Sequence, residues 1–406
     1  MKKRFLIWDN PQQAIIMLVL GLLVIGSINV FSATYMDAAA SDSHDALEYF
    51  KKYWLTVLVG LVAGGFAYKL GYKRILNNRL IRWVLNFAVF FMLAVLFVKR
   101  NDESWQINGA ARWLRLGGFS LQPSELAKVS VIMYSAYILD KMHRYKQAIS
   151  FVTRNPDFWK LIVMTLIYSF LVYKQPDMGT ATIIFGLTIL MIVMAGFPRF
   201  QLWAMVGTVA SVGAVIAVSA SYRLRRLAVW LDPWKAAGHD GYQGVQSQLA
   251  IGSGGLWGSN WDYAASRYFH LPESHTDFAF AFFCNENGFF FAVVLILLFS
   301  LLALAFMAIT CSAKHMQAFL LASGITFLII GQSFANIAMV CGVLPIIGVP
   351  LPFISYGGTS MIINLGCIGL LLSIYKEEKQ EAELAALSPD SRREDLRVVH
   401  GRGARR

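Results

Sequence analysis

Charge is scarce in this chain. Charged residues fill 15% of its 406 positions against 57% hydrophobic, and the mean hydropathy is +0.53. A water-soluble fold of ordinary composition carries more charge, so that class is excluded. Cysteine is scarce as well: Cys284, Cys311, Cys341 and Cys367 are scattered through apolar segments with no C-x-x-C pair. This spacing supports neither a disulfide framework nor a zinc site, and the four read as packing residues. Acidic residues are outnumbered by basic ones, 24 to 36, for a net charge of +12. No RNA- or DNA-binding pattern accompanies the excess, so no nucleic acid partner is predicted. A topology signal and attraction to anionic head groups account for it.

What the chain does have is long apolar runs. Ten of them recur, at roughly 13–33, 54–72, 81–98, 123–140, 159–173, 179–196, 201–221, 287–311, 316–341 and 357–375. Most approach the ~20 residues that cross a ~30 Å hydrocarbon core. In that medium the backbone must close its own hydrogen bonds, so the runs are helices. The predicted fold class is all-α: a polytopic integral membrane protein of about ten transmembrane helices, with a large extracytoplasmic loop between helices 7 and 8. The run at 159–173 is short enough to be tilted or to end early. The first run is longer than a typical signal-peptide core and is followed by further spans, so no cleaved leader is expected.

Lys and Arg in the short loops set the orientation. Lys2, Lys3 and Arg4, then Lys73, Arg74, Arg79 and Arg82, then Lys141, Arg144, Lys146 and Arg154 alternate as a cytoplasmic N-terminus requires. Arg199, and Lys314 with His315, mark the remaining inner loops, and the C-terminus returns to the cytoplasm. The chain divides into a cytoplasmic start (1–12), a membrane domain (13–375) and a polar tail (376–406). The tail is expected to form a short helix over 376–387 and then to be disordered. Two extracytoplasmic elaborations interrupt the membrane domain, at 99–122 and 222–286. The second is too long for a plain connector, and its Trp and Tyr residues argue against disorder.

Several residues could carry chemistry. Arg112 and Arg115 in the first elaboration, and Arg223, Arg225, Arg226 and Arg267 in the second, suit a phosphate or diphosphate, or structural ion pairs. Glu125 and Lys128 lie three apart on one helical face and either cap a helix or line a polar cavity. Asp177 sits in a break, Lys174 to Gly179, and three prolines punctuate 342–358. Each break reads as a cavity lining or as a surface turn. Asp277, with Glu273 and His275 beside it, leads into an apolar helix. It reads as a helix cap or as a general base whose pKa burial and a second carboxylate would raise, and nearby arginines would lower.

The motifs have a familiar order. They are Asn108-Gly109-Ala110 with Arg112-Trp113, Gln122-Pro123-Ser124-Glu125, and Gln175-Pro176-Asp177 before Gly179-Thr180-Ala181. Next come Arg226 with Leu231-Asp232-Pro233-Trp234, Gly241-Tyr242-Gln243, Gln246-Ser247 and Ala250 to Gly255. The last are Leu271-Pro272-Glu273, His275 to Phe278, and Tyr356 to Ser360. Over residues 10–376 the chain resembles the SEDS family (shape, elongation, division and sporulation), the FtsW/RodA/SpoVE group of bacterial inner-membrane proteins.

The resemblance implies a peptidoglycan glycosyltransferase that polymerises lipid II, the undecaprenyl-pyrophosphate-linked disaccharide-pentapeptide, on the outer face of the cytoplasmic membrane. It implies a class B penicillin-binding protein as partner, within the divisome or elongasome. The family's essential loop aspartate falls on Asp277, its loop tryptophan on Trp113, and its membrane-cavity acid and base on Glu125 and Lys128. Gln246, Ser247, Glu273 and His275 join the substrate-binding set on the same ground. Departure of the diphosphate needs positive charge, from Arg112, Arg223, Arg226, Lys128 or a bound divalent cation (Mg or Mn); no organic cofactor is called for.

The chain departs from the family in places. An acidic pair is reduced to Glu286 within Cys284-Asn285-Glu286-Asn287-Gly288, Ser259 to Asp262 replaces a Gly-rich stretch, and Arg267 stands where Lys is usual. The spacing from Gly258 to Leu271 fits the division branch better than the elongation branch. Two other readings use the same architecture: a lipid II flippase, with Glu125, Lys128, Asp177 and Asn364 along a polar path, or a non-catalytic scaffold for the transpeptidase.

Overall fold

The computed structural model describes residues 10–40, 45–106, 110–116, 119–218, 228–239, 241–259 and 271–386. The helices are α1 (Pro11–Ala40), α2 (Glu48–Leu70), α3 (Tyr72–Asn77), α4 (Arg79–Lys99), α5 (Pro123–Arg144), α6 (Pro156–Tyr173) and α7 (Met178–Met194). They continue with α8 (Arg199–Val218), α9 (Tyr242–Ser253), α10 (Ala279–Ser312), α11 (Met316–Thr326), α12 (Gln332–Val340) and α13 (Gly358–Ala386). A π-helical turn, Phe327–Gly331, joins α11 to α12. The one sheet among the described residues is a hairpin, β1 (Leu114–Leu116) against β2 (Phe119–Leu121), with Arg115 opposite Ser120. It stands on the first elaboration, just before α5.

Local chemistry fixes the helix starts. Asn78 caps α4 by accepting from Leu80 N at 2.8 Å, and Asn155 caps α6 by accepting from Asp157 N at 2.8 Å. Pro156 follows that cap at the first helical position, so α6 begins three residues earlier than the apolar run suggested. Large side chains such as Val62, Phe66 and Phe87 stay exposed on outward faces, as lipid-facing helices require. Among the described residues seven helices are long and apolar enough to cross a membrane, and the protein is a multi-pass membrane protein. All ten expected runs carry a helix. Of the three outside the seven, α7 is 17 residues long, α5 is rich in polar residues, and most side chains in the second half of α8 lie outside the described set.

At one end of the bundle Glu381 of α13 pairs with Lys73 and, at 2.7 Å, with His315 Nε2. Two of the basic loops expected on one side of the membrane thus meet the same carboxylate. Residues 376–386 continue α13 without a break, and the remainder of the tail lies outside the described residues.

Two features were not legible in the run lengths. First, α10 starts at Ala279, two residues after Asp277, and is broken at Gly288, whose φ is 77°. The break is filled by residues 253–259 of the long loop: Ser259 N donates to Asn285 O at 2.9 Å, and Phe289 N to Gly255 O at 2.9 Å. A Cβ on Gly288 would stand 2.3 Å from Gly258 N, so two backbones touch here without side chains between them. The loop is therefore locked to the helix that Asp277 opens.

Second, the latter half of the segment between α12 and α13 is buried. Val349, Leu351, Phe353, Ile354 and Ser355 are almost inaccessible. Tyr53 Oη donates to Phe353 O at 2.7 Å, and Leu351 N to Ser355 Oγ at 2.8 Å. This settles between the two readings of 342–358: its second half is an inserted loop whose backbone the protein satisfies, and no surface turn. Gly179 of α7 presses on it so closely that a Cβ would meet Ile347 O at 2.1 Å. Gly179→Ala is expected to destabilise the protein by about 1–3 kcal/mol through overpacking. Gly186→Ala on the same helix, where nothing lies within 4 Å, should be near neutral. Thermal melts of the two in detergent check this, and equal melting points would contradict the packing described.

Candidate active site

The inserted loop is the hub on which the candidate residues meet. Asn336 of α12 donates through Nδ2 to Asp277 O at 2.8 Å and to Val349 O at 2.6 Å, pinning the aspartate's backbone to the loop. The carboxylate lies over Gly348, where a Cβ would stand 3.4 Å from Asp277 Oδ2. Tyr356 N donates to His275 O at 2.7 Å, and the His275 ring packs edge-on against Tyr49 at 5.5 Å. Glu273 closes the turn before Asp277, accepting from Thr276 Oγ1 at 2.7 Å.

Asp177 caps α7 by accepting from Thr180 N at 3.1 Å, and its other oxygen accepts from Gln122 Nε2 at 3.4 Å. Arg112 reaches the same break, donating from Nε to Gln175 O at 3.2 Å and from its terminal nitrogen to Pro176 O. Gln175 is itself buried, donating to Leu93 O at 3.2 Å. The break at 174–179 is thus held from inside the protein. Trp113 follows Arg112, partly buried.

These groups share one electrostatic neighbourhood. Burial pushes the Asp277 carboxyl up to about 6 from an ordinary 3.8, Glu273 and Asp177 add to the rise, and Arg112 opposes it. An acid so placed changes protonation near neutrality, as a general base must. Among the described residues no three His, Cys, Asp or Glu side chains stand together as a metal site, so their side chains alone do not compose one here.

Lys128 lies one layer further in. It is 1% exposed, paired with Glu125 at 2.7 Å, and donates to Gln332 Oε1 at 3.0 Å. Gln332 Nε2 in turn donates to Pro350 O at 3.0 Å. Lys128 therefore reaches the Asp277 loop through Gln332, with its ammonium buried. Ser247 is not part of the cluster: its Oγ donates to Val340 O at 2.8 Å and ties α9 to α12, with Gln246 beside it on α9. Arg223 and Arg226, like Arg225 and Arg267, lie outside the described residues. Gln332 and Asn336 went unnoticed in the sequence, although two amides four apart in an apolar span are the kind of signal that marks a functional interior.

A sequence model of the cell cycle protein family that takes in FtsW, RodA and SpoVE matches residues 12–380. The chain belongs to this family. This SEDS chain is 35% identical over 370 residues to a protein of Geobacter sp. (strain M18) named probable peptidoglycan glycosyltransferase FtsW, covering 90% of this chain and 97% of that one. It is 32% identical over 367 residues to stage V sporulation protein E of Bacillus subtilis (strain 168), with the same two shares. Its fold matches a chain of a peptidoglycan synthase complex, solved for its coordination of polymerization and crosslinking, with TM-score 0.74 at 24% identity over 92% and 99% of the two chains. It matches the rod shape determining protein RodA of Thermus thermophilus with TM-score 0.62 at 24% identity, over 92% and 98%. At that identity the two structures speak to the fold alone.

Proposed function

We propose that this SEDS protein is a peptidoglycan glycosyltransferase that polymerises lipid II at the outer face of the cytoplasmic membrane. Ten crossings would leave both termini in the cytoplasm, and a class B penicillin-binding protein would crosslink the product, in septal or elongation wall synthesis. The observation that carries the reading is Asp277, an acid raised to about 6 where an apolar helix begins, within electrostatic reach of Arg112 and Asp177.

The chemistry balances as a single displacement. The Asp277 carboxylate takes the proton of an acceptor sugar hydroxyl, and that oxygen bonds to the donor's anomeric carbon. The bond from this carbon to the diphosphate oxygen breaks, and its electron pair leaves with the diphosphate, whose charge Arg112 would meet. One displacement at an α-linked carbon gives a β-linked glycan with no sugar–enzyme intermediate. A divalent cation would supply further positive charge to the leaving group.

The pH profile tests the base. It works only when deprotonated, so a raised pKa moves the loss of activity upward in pH. With purified lipid II at low concentration, the polymerisation rate is expected to fall about tenfold per pH unit below about 6 and to level off above it. A rate unchanged from about pH 5 to pH 8 would remove Asp277 from this role.

A further inference from the structure

A cavity of about 400 Å³ lies between the long loop and the end of α12. Trp230, Pro233, Gln243 and Gln248 line one side, and Met339 and Ile346 the other. Its size falls within the about 300–1,000 Å³ usual for small-molecule sites. No charged side chain is among the described residues that line it, so it suits neither a diphosphate nor a carboxylate. It offers aromatic and aliphatic surface with two carboxamides. A sugar ring is matched by that mixture, C–H faces against the apolar walls and acetamido or hydroxyl groups on the amides.

The wall is firmly built. Gln248 Oε1 accepts from Trp234 Nε1 at 3.2 Å, which orients its amide. Beneath it α9 is fastened to α10, with Asn285 Nδ2 donating to Ala250 O at 3.2 Å and to Ser253 Oγ at 2.7 Å. The position is as telling as the lining. Ile346 borders the cavity and Gly348 lies against Asp277, and two residues of chain span at most ~7 Å. The cavity and the carboxylate thus border the same short stretch of the inserted loop.

We infer that this cavity holds an uncharged N-acetylamino-sugar ring of the growing glycan, next along the strand from the sugar that reacts beside Asp277. The inference rests on the polymerase reading, and the test separates the two. Full-length protein in detergent is titrated with the β-1,4 tetramer of N-acetylglucosamine by saturation-transfer NMR, with cellotetraose and inorganic pyrophosphate as comparisons. Saturable binding is expected for the acetylated tetramer, weaker for cellotetraose, and unaffected by pyrophosphate. Gln243→Ala, at an exposed position, and Gln248→Ala should each weaken it about tenfold while eluting as wild type on gel filtration. Absent binding, unchanged affinity in both variants, or displacement by pyrophosphate overturns the site. Wild-type protein that polymerises lipid II yet ignores the tetramer sinks this inference alone. Protein that binds the tetramer but makes no polymer sinks the polymerase reading and leaves a sugar site standing.

Discussion

Asp277→Asn is expected to lower glycan chain formation from purified lipid II by about 10²–10⁴-fold, with the partner transpeptidase present. Asparagine keeps the side-chain shape and the backbone bond from Asn336 to residue 277, so the loop should stay in place. What it loses is the ability to take a proton. Stability separates this from simple damage. The folded-state pKa of about 6 lies above the ordinary 3.8, so the folded protein holds that proton more tightly than the unfolded chain does. The carboxyl's favourable contribution is then complete below about pH 4 and is lost as pH rises through about 6. At neutral pH the charged group opposes folding, and its neutral replacement should melt at the same temperature or higher. A dead but well-folded variant supports the base. Normal polymer yield would end the catalytic assignment. A polymerase-dead variant that still moved lipid II across vesicles would add transport to the protein's roles.

The helices were readable because their cause is local. A run of apolar residues in lipid has no partner but itself, and caps such as Asn155-Pro156 are written in adjacent positions. The inserted loop was readable only as a break. Three prolines say that a helix stops, while the bond from Tyr53, 300 residues away in sequence, shows that the loop is buried. The site divides in the same way. Asp277, Glu273 and His275 are neighbours in the chain, so their cluster could be named from sequence. That Arg112 would fasten onto the 174–179 break, or that Lys128 would face Gln332, depends on pairings across 63 and 204 residues. Depth is likewise set by distant partners: Lys128 is buried in the interior, while Arg112 is only partly buried. The broken α10 shows the limit most clearly. Gly288 is visible in the sequence, but its left-handed backbone is required by the loop residues that dock on it.

That depth makes Lys128→Met the substitution with the largest expected cost to stability. It would strand Glu125, which is 3% exposed, without its partner at 2.7 Å, and would leave Gln332 Oε1 without its donor. Removing one member of a buried pair typically costs about 3–5 kcal/mol, because the remaining charge is uncompensated. The pair need not be worth that much itself, since desolvating both charges offsets most of their attraction. The double variant Glu125→Gln with Lys128→Met should accordingly recover much of the lost stability, as the residual amide can remain neutral and hydrogen-bonded. Denaturation in detergent at neutral pH measures all three. A single variant as stable as wild type would mean that the acid takes up a proton at little cost. A double variant no better than the single would mean that the lysine acts chiefly through Gln332 and the inserted loop. In that case polymer yield should fall with the single and the double alike, because the support beneath Asp277 would be loosened in both.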